Sequence, residues 1–330
     1  MSDRTITGRR ILITGGTGSF GNRVASYLVR FDPQRIVIYS RDEKKQWEMA
    51  QRWPDFEYII GDVRDSTRLA EAMRGIDIVF HAAALKQVPS CETYPFEAVL
   101  TNTVGSQLVC EAALAAGVET LVALSTDKAV KPVNAMGTSK AMMEKLVCAK
   151  NRVKLETVFC CVRYGNVMGS RGSVIPLFRK QIEAGGPVTV TVPQMTRFLM
   201  TLDESVDLVV HAMTHADGGE IFVRKAPAAA VGDLARAMIA KYGNGVDVPI
   251  KVMGIRPGEK LDEVLVNEYE MQRAAEGREY FTIYPEYRPV NPVSDVPLGT
   301  EYTSANTRRL TDPAAISALL DRMGHVEYYV

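Results

Sequence analysis

The sequence predicts an α/β protein with a Rossmann-type doubly wound parallel sheet and a smaller C-terminal α/β substrate lobe. Three observations predict it. Short apolar runs alternate with helical patterns through the first half of the 330-residue chain. The first run opens into a glycine-rich turn that leads straight into a helix. The alternation then fades past residue 165, where loops, arginines and prolines take over. Residues 1–165 therefore read as a nucleotide-binding domain. Residues 166–330 read mainly as a substrate lobe with a C-terminal tail, the chain partly interleaved with the sheet.

Arg10-Ile11-Leu12-Ile13 is the first strand. It runs into Thr14-Gly15-Gly16-Thr17-Gly18-Ser19-Phe20-Gly21 and a helix with Val24, Leu28 and Val29 on its apolar face. Gly15 permits the tight turn, Gly18 lets the backbone approach a pyrophosphate, and Gly21 lets the helix pack close to the strand. The helix N-terminus, with Thr17, Ser19 and Phe20 in the turn, adds amide donors and the positive end of its dipole. Arg35 to Tyr39 is the second strand. It ends about 20 residues beyond the glycines, where a carboxylate would bind an NAD ribose. Ser40 stands there instead, with Arg41 beside it and Lys44 and Lys45 in the next turn. That set suits a 2′-phosphate, so NADP is expected rather than NAD. The competing reading makes Arg41 and Lys45 solvated charges and gives the ribose to Asp42.

Gly61-Asp62-Val63 ends the third strand, with Asp62 in reach of an adenine amino group. Ile76 to His81 is the fourth, and the small Ala82, Ala83 and Ala84 after it let backbone lie against a dinucleotide. Lys86 would follow toward the reactive end and the substrate. A long helix, roughly Phe96 to Ala116, carries Asn102. Leu121 to Leu124 is a buried strand that ends in Ser125-Thr126-Asp127-Lys128, and Met136-Gly137-Thr138-Ser139-Lys140 leads into the next helix. Ser, Thr, Asp and Lys at a strand end, facing a helix that presents another Lys, make a constellation for acid–base chemistry. The competing reading of Asp127 and Lys128 is a structural ion pair. Thr157 to Arg163 completes six strands.

In the second half, Arg163 to Val167 leads through Ser170-Arg171-Gly172-Ser173-Val174 into a helix. Val188 to Thr191 alternates, Pro285 to Thr300 reads as extended loop, and Ser304 to Leu310 reads as the start of a last short helical piece. Arg171, Arg197 and Arg256 lie on separate loops, a set that suits a diphosphate held bidentately. His211 and His215 sit at i and i+4, but without further ligands they read as a helix-surface pair, so no metal site is expected.

Composition narrows the functional classes. Lys+Arg and Asp+Glu balance at 39 each, which gives no electrostatic case for nucleic acid or an anionic membrane. No run approaches the roughly 20 apolar residues of a membrane span, and no secretory signal is visible. The five cysteines include no C-x-x-C, and Cys160 and Cys161 alternate faces of a strand as small core residues. A cytoplasmic protein is the expectation.

These segments resemble the extended short-chain dehydrogenase/reductases over essentially the whole chain. Within them, Tyr39 to Glu43, His81 to Pro89, Ser125 to Val130, Asn134 to Lys145, Arg163 to Met168 and Arg256 to Leu261 resemble the inverting UDP-N-acetylglucosamine 4,6-dehydratases. The branch most resembled opens UDP-N-acetyl-L-fucosamine synthesis (the CapE type), which also carries Met where the superfamily has a catalytic Tyr; here that residue is Met136. The chain departs from that branch at Val192 and in the tail segment Thr303 to Arg308. The resemblance implies NADP, a UDP-hexosamine substrate, loss of water across C5–C6 with inversion at C5, and a homo-oligomer. It implies Lys128 as C5 base, with its pKa lowered by Lys140, and Asp127 as C6 acid, raised by an apolar wall that includes Met136. Thr126 would bind O4 and Lys140 the nicotinamide ribose. Lys86, Asn166, Arg171, Val174, Arg197, Arg256 and Glu259 would hold the substrate. A UDP-hexosamine 4-epimerase and a non-catalytic NADP-binding sensor stay open as alternatives.

Overall fold

The computed structural model describes residues 5–170, 172–288 and 296–323. Its first half contains strands β1 (Arg10–Thr14), β2 (Arg35–Ser40), β3 (Glu57–Ile60), β4 (Ile78–His81), β5 (Thr120–Leu124) and β6 (Val158–Arg163). They pair in parallel in the order β3-β2-β1-β4-β5-β6, so the order reverses between β1 and β4 and opens a crevice at the strands' carboxyl ends. The second half adds β7 (Asn166–Val167), β8 (Val188–Val190), β9 (Thr196–Met200), β10 (Ile221–Arg224), β11 (Ala228–Ala230) and β12 (Ile250–Val252). It ends with β13 (Val264–Val266), β14 (Ala274–Glu276), β15 (Tyr280–Ile283) and β16 (Tyr302–Thr303). Strand β10 joins β6 in parallel, and β15 and then β14 extend the same sheet antiparallel. The second half thus returns into the main sheet.

Helices α1 (Ser19–Leu28), α2 (Glu43–Ala50), α3 (Ser66–Ala72), α4 (Val88–Thr93), α5 (Pro95–Ala98), α6 (Gly105–Ala115) and α7 (Ala135–Ala149) belong to the first half. The second half carries α8 (Val174–Glu183), α9 (Leu202–His215), α10 (Val231–Tyr242), α11 (Glu268–Met271) and α12 (Pro313–Arg322). Because successive strand residues point to opposite faces, the sheet divides its apolar side chains between two cores. Leu12, Val79, Leu121 and Phe159 pack with Leu69, Val109 and Met143 from α3, α6 and α7. Ile11, Ile13, Phe80 and Val122 pack with Val24 and Leu28 of α1 and Val209 and Met213 of α9. Cys161 joins the first core and Cys160 the second. Each fully buried side chain of this kind contributes about 1.5–3 kcal/mol. A third core, with Phe178, Val190, Leu199, Leu234, Met238 and Leu320, holds the lobe together.

Several elements differ from the sequence expectation. Helix α1 stops at Leu28, and Val29 is exposed in a single 3₁₀ turn. The long helix expected over Phe96–Ala116 is interrupted by a π-helical stretch, Val99–Val104, before α6. Helix α7 begins six residues earlier than the Ala141 run suggests, because the Asn134 side chain accepts from the Gly137 amide at 2.7 Å and caps it. Met136 and Lys140 are therefore both on this helix. Ser304 to Leu310 forms turns tied back to Ala228, and the last helix starts at Pro313. Val192 packs against the lobe's own core. No helix among the described residues is long and apolar enough to cross a membrane.

Candidate active site

The β1–α1 turn shows why glycine is needed. Gly15 has φ +67°, and a Cβ there would stand 2.8 Å from the Ala83 backbone; at Gly21 one would stand 2.4 Å from Gly16. The turn thus presses against the segment leaving β4, and helix α1 starts with no side chain closing its N-terminus. A cleft of about 880 Å³ runs over this turn. Gly15, Thr17, Gly18, Ser19, Phe20 and Gly21 line it, as do Ala82, Ala83 and Ala84 across the crevice. Ser40, Arg41, Lys45 and Val63 line its far end, and Lys86, Met136 and Lys140 the other.

At the far end Ser40 Oγ lies 2.8 Å from Thr17 Oγ1. Arg41 stands 3.4 Å from Asp62, and Lys45 pairs with Asp42, which also caps α2 through the Lys45 amide. Asp62 does not reach the cleft as expected. Its carboxylate is held by the Arg64 guanidinium at 2.7 Å, and the cleft wall there is Gly61 and Val63. Burial works to raise the Asp62 carboxyl, but Arg64 and Arg41 hold it below its ordinary value.

A second cavity of about 520 Å³ lies against the lobe. Lys128, Asn166, Val174, Arg256 and Glu259 line both cavities, whereas Arg197 lines only the second. Arg197 is not the free diphosphate clamp its sequence suggests. Its terminal nitrogens donate to the carbonyls of Thr196, Leu261 and Lys260 at 2.7, 3.1 and 3.0 Å. Arg256 is mostly exposed, 3.7 Å from Glu259. Arg171 lies outside the described residues.

Between the cavities, β5 ends and the chain turns tightly through Asp127–Ala129. Thr126 Oγ1 and Lys128 Nζ both donate to Asp127 Oδ1, at 2.9 and 3.0 Å. Asp127 is fully enclosed, its Oδ2 has no hydrogen-bond partner, and it lines neither cavity. An acid in direct contact with a sugar was expected; this carboxylate instead reaches the clefts through Thr126 and Lys128. Lys128 also faces Glu263 Oε1 at 3.4 Å. Burial works to lower the Lys128 amine, yet Asp127 and Glu263 together hold it above its ordinary value. That reverses the expected lowering by Lys140. The lowering falls on Lys140 itself, which burial brings down to about 8; its Nζ donates to the Leu124 carbonyl at 2.8 Å. Met136 packs with Cys91 and Ala98.

Glu263 and Lys260 are the site residues the sequence reading missed. Lys260 donates to the Val130 carbonyl, and burial lowers its amine. The signal was present in Asp262-Glu263, two acids set directly before the fully buried Val264–Val266 strand. His211 stacks on His215 on one side and on Tyr280 on the other.

The family profile described as polysaccharide biosynthesis protein matches residues 11–285. The UDP-glucose 4-epimerase of Rickettsia conorii is 49% identical over 317 residues, 92% of each chain. The crystal structure of Pen from Bacillus thuringiensis is 36% identical, with a TM-score of 0.89 over 97% of this chain and 100% of that one. DesIV, a dTDP-glucose 4,6-dehydratase from Streptomyces venezuelae solved with NAD, is 22% identical with a TM-score of 0.70 over 76% of this chain and 86% of its own. With its parallel sheet, glycine turn and paired cavities, the chain belongs to the polysaccharide biosynthesis protein family.

Proposed function

We propose that this enzyme is an inverting 4,6-dehydratase of UDP-N-acetylglucosamine that uses NADP. The observation that carries the reading is Lys128, held by two buried carboxylates on the wall common to both cavities. An epimerase needs one proton acceptor at O4 and room for the sugar to turn. Elimination across C5–C6 needs a second acid–base pair, and this cluster has the groups for one. The glycine cradle and the row of small residues after β4 fit a dinucleotide, and DesIV was solved with NAD. Such a cofactor, when bound, supplies reversible hydride exchange with the hexose.

Arg41, Lys45 and Ser40 would hold a 2′-phosphate, and Lys140 the nicotinamide ribose. Lys86, Asn166, Val174, Arg256 and Glu259 would hold the UDP-sugar, with Arg197 fixing the loop that carries the last two. Once C4 is a ketone, the C5 proton is acidic; the Lys128 ammonium passes its own proton to Asp127 Oδ1, 3.0 Å away, and the amine so freed takes the C5 proton. The C6 hydroxyl leaves as water with a proton from Thr126 Oγ1, and the Asp127 carboxyl, having received the Lys128 proton, reprotonates that oxygen and returns to carboxylate. Inversion requires the returning C5 proton to arrive from the opposite face.

Mass spectrometry of the product from UDP-N-acetylglucosamine and NADP in deuterated water tests this. A product lighter by one water, with deuterium at C5, is expected. The 4-epimerase reading is favoured by the name of the curated relatives at 49% identity. A product that has lost no water, with only its C4 configuration changed, would establish that reading instead.

A further inference from the structure

The proposed mechanism gives Glu263 no proton to move, yet it is a deeply enclosed acid on the substrate cavity wall, with 3% of its side chain exposed. Its Oε1 faces Lys128 Nζ at 3.4 Å and Arg197 Nε at 3.7 Å, and its Oε2 lies 4.0 Å from Lys260 Nζ without a hydrogen-bond partner. A carboxylate buried for stability alone would be saturated by close hydrogen bonds, since desolvation is otherwise uncompensated. Glu263 instead acts on three cations through charge at a distance.

Its position is built rather than incidental. Ser304 Oγ accepts the Glu263 amide at 2.8 Å, and the Ser304 amide donates to the Glu263 carbonyl at 2.8 Å. Ser304 Oγ also lies 2.6 Å from Thr196 Oγ1, and Asp262 accepts from the same threonine. Strand β13 begins at the next residue and pairs with β16. Backbone on both sides is pinned, so the carboxylate is held where a sugar nucleotide would enter.

We infer that Glu263 is a positioning residue for Lys128: supplied by the lobe, it sets the pH at which the amine on the shared wall gives up its proton. The groups facing that amine are Asp127 from its own turn and Glu263, Arg197 and Lys260 from the lobe. Asp127 is adjacent in sequence and always present. Glu263 is the acid whose approach depends on how the lobe sits. The inference rests on the proposed proton transfer at Lys128 only for its consequence in catalysis.

Two measurements test it. The first is NMR titration of lysine-labelled protein without substrate or cofactor, the Lys128 signal being assigned by its loss in Lys128→Met. Glu263→Gln should move that titration down by about one pH unit or more, and Glu263→Asp by less, with the Lys140 signal unmoved. The second is the pH dependence of solvent-deuterium uptake at C5 of UDP-N-acetylglucosamine, the proton transfer assigned to Lys128. Its Lys128-dependent limb should move to lower pH in Glu263→Gln by the same amount. An unmoved Lys128 titration in both variants overturns the inference, and so does a moved titration with an unmoved limb. If Glu263→Gln does not fold, the Glu263→Asp titration alone decides. A moved titration in a protein that exchanges no C5 proton of any UDP-sugar upholds the charge assignment and sinks the proposed function.

Discussion

Lys140 carries a burial cost that can be read in stability. Its ammonium is enclosed, and burial lowers its pKa from 10.5 to about 8. The sign follows from proton counting. Below pH 8 both folded and unfolded chains hold the proton, so the folded state bears the full cost, about 3 kcal/mol. Between about pH 8 and 10.5 the unfolded chain binds more protons, so stability rises with pH through this window. Lys140→Met should therefore be more stable than the parent at pH 7, less whatever is lost with the hydrogen bond to Leu124. The gap should close toward pH 10. Urea unfolding of both proteins at the two pH values checks it, and a gap that stays constant would show that Lys140 is not desolvated. A lysine kept on a cleft wall at such a cost is what the proposed role at the nicotinamide ribose requires.

At the scale of elements, Arg163 at the end of β6 joins parts that are distant in sequence. Its guanidinium binds Glu144 of α7 at 2.7 and 2.6 Å, Glu270 of α11 at 2.8 and 2.7 Å, and the Leu265 carbonyl of β13 at 3.1 Å. All three charged side chains are buried. Burial works to lower the Arg163 guanidinium, but the two carboxylates hold it well above its ordinary value. Arg163→Met leaves both acids unpaired in the interior, so a loss of roughly 3–5 kcal/mol at pH 7 is expected by chemical denaturation. A loss under about 1 kcal/mol would mean that water reaches the pair. None of this was legible in the sequence, because Arg163, Glu144 and Glu270 carry no spacing that betrays their meeting. The six parallel strands and the glycine turn were legible, since continuous apolar runs and turn chemistry are local signals. The same limit explains the site. Thr126, Lys128, Met136 and Lys140 could be placed because one strand end and one helix carry them, whereas Glu263 arrives from a loop whose position depends on Ser304 and Thr196.

Across the whole molecule, the boundary expected near residue 165 does not divide the core. Phe198, Met200, Val223, Leu265 and Phe281 from the second half are buried in the same cluster as Leu12 and Leu121. Val206, Val209, Met213 and Phe222 lie in the cluster of Ile13 and Phe80. Strand β6, buried at all six positions, has β10 as its outer neighbour, so cutting after residue 165 would bare a long apolar edge. A fragment of residues 1–165 should then fail to give a cooperative fold, although it contains the entire glycine turn. The full chain should unfold in a single transition. Both tryptophans, Trp47 and Trp53, report on the first half. Their fluorescence in guanidinium should coincide with far-ultraviolet circular dichroism, which averages over both halves. A fluorescence transition clearly separated from the dichroism, together with a fragment that unfolds cooperatively, would show that the nucleotide half stands alone. Coincident curves would mean that the lobe carrying Glu263 is fixed against the sheet carrying Lys128 by the same core that folds the protein.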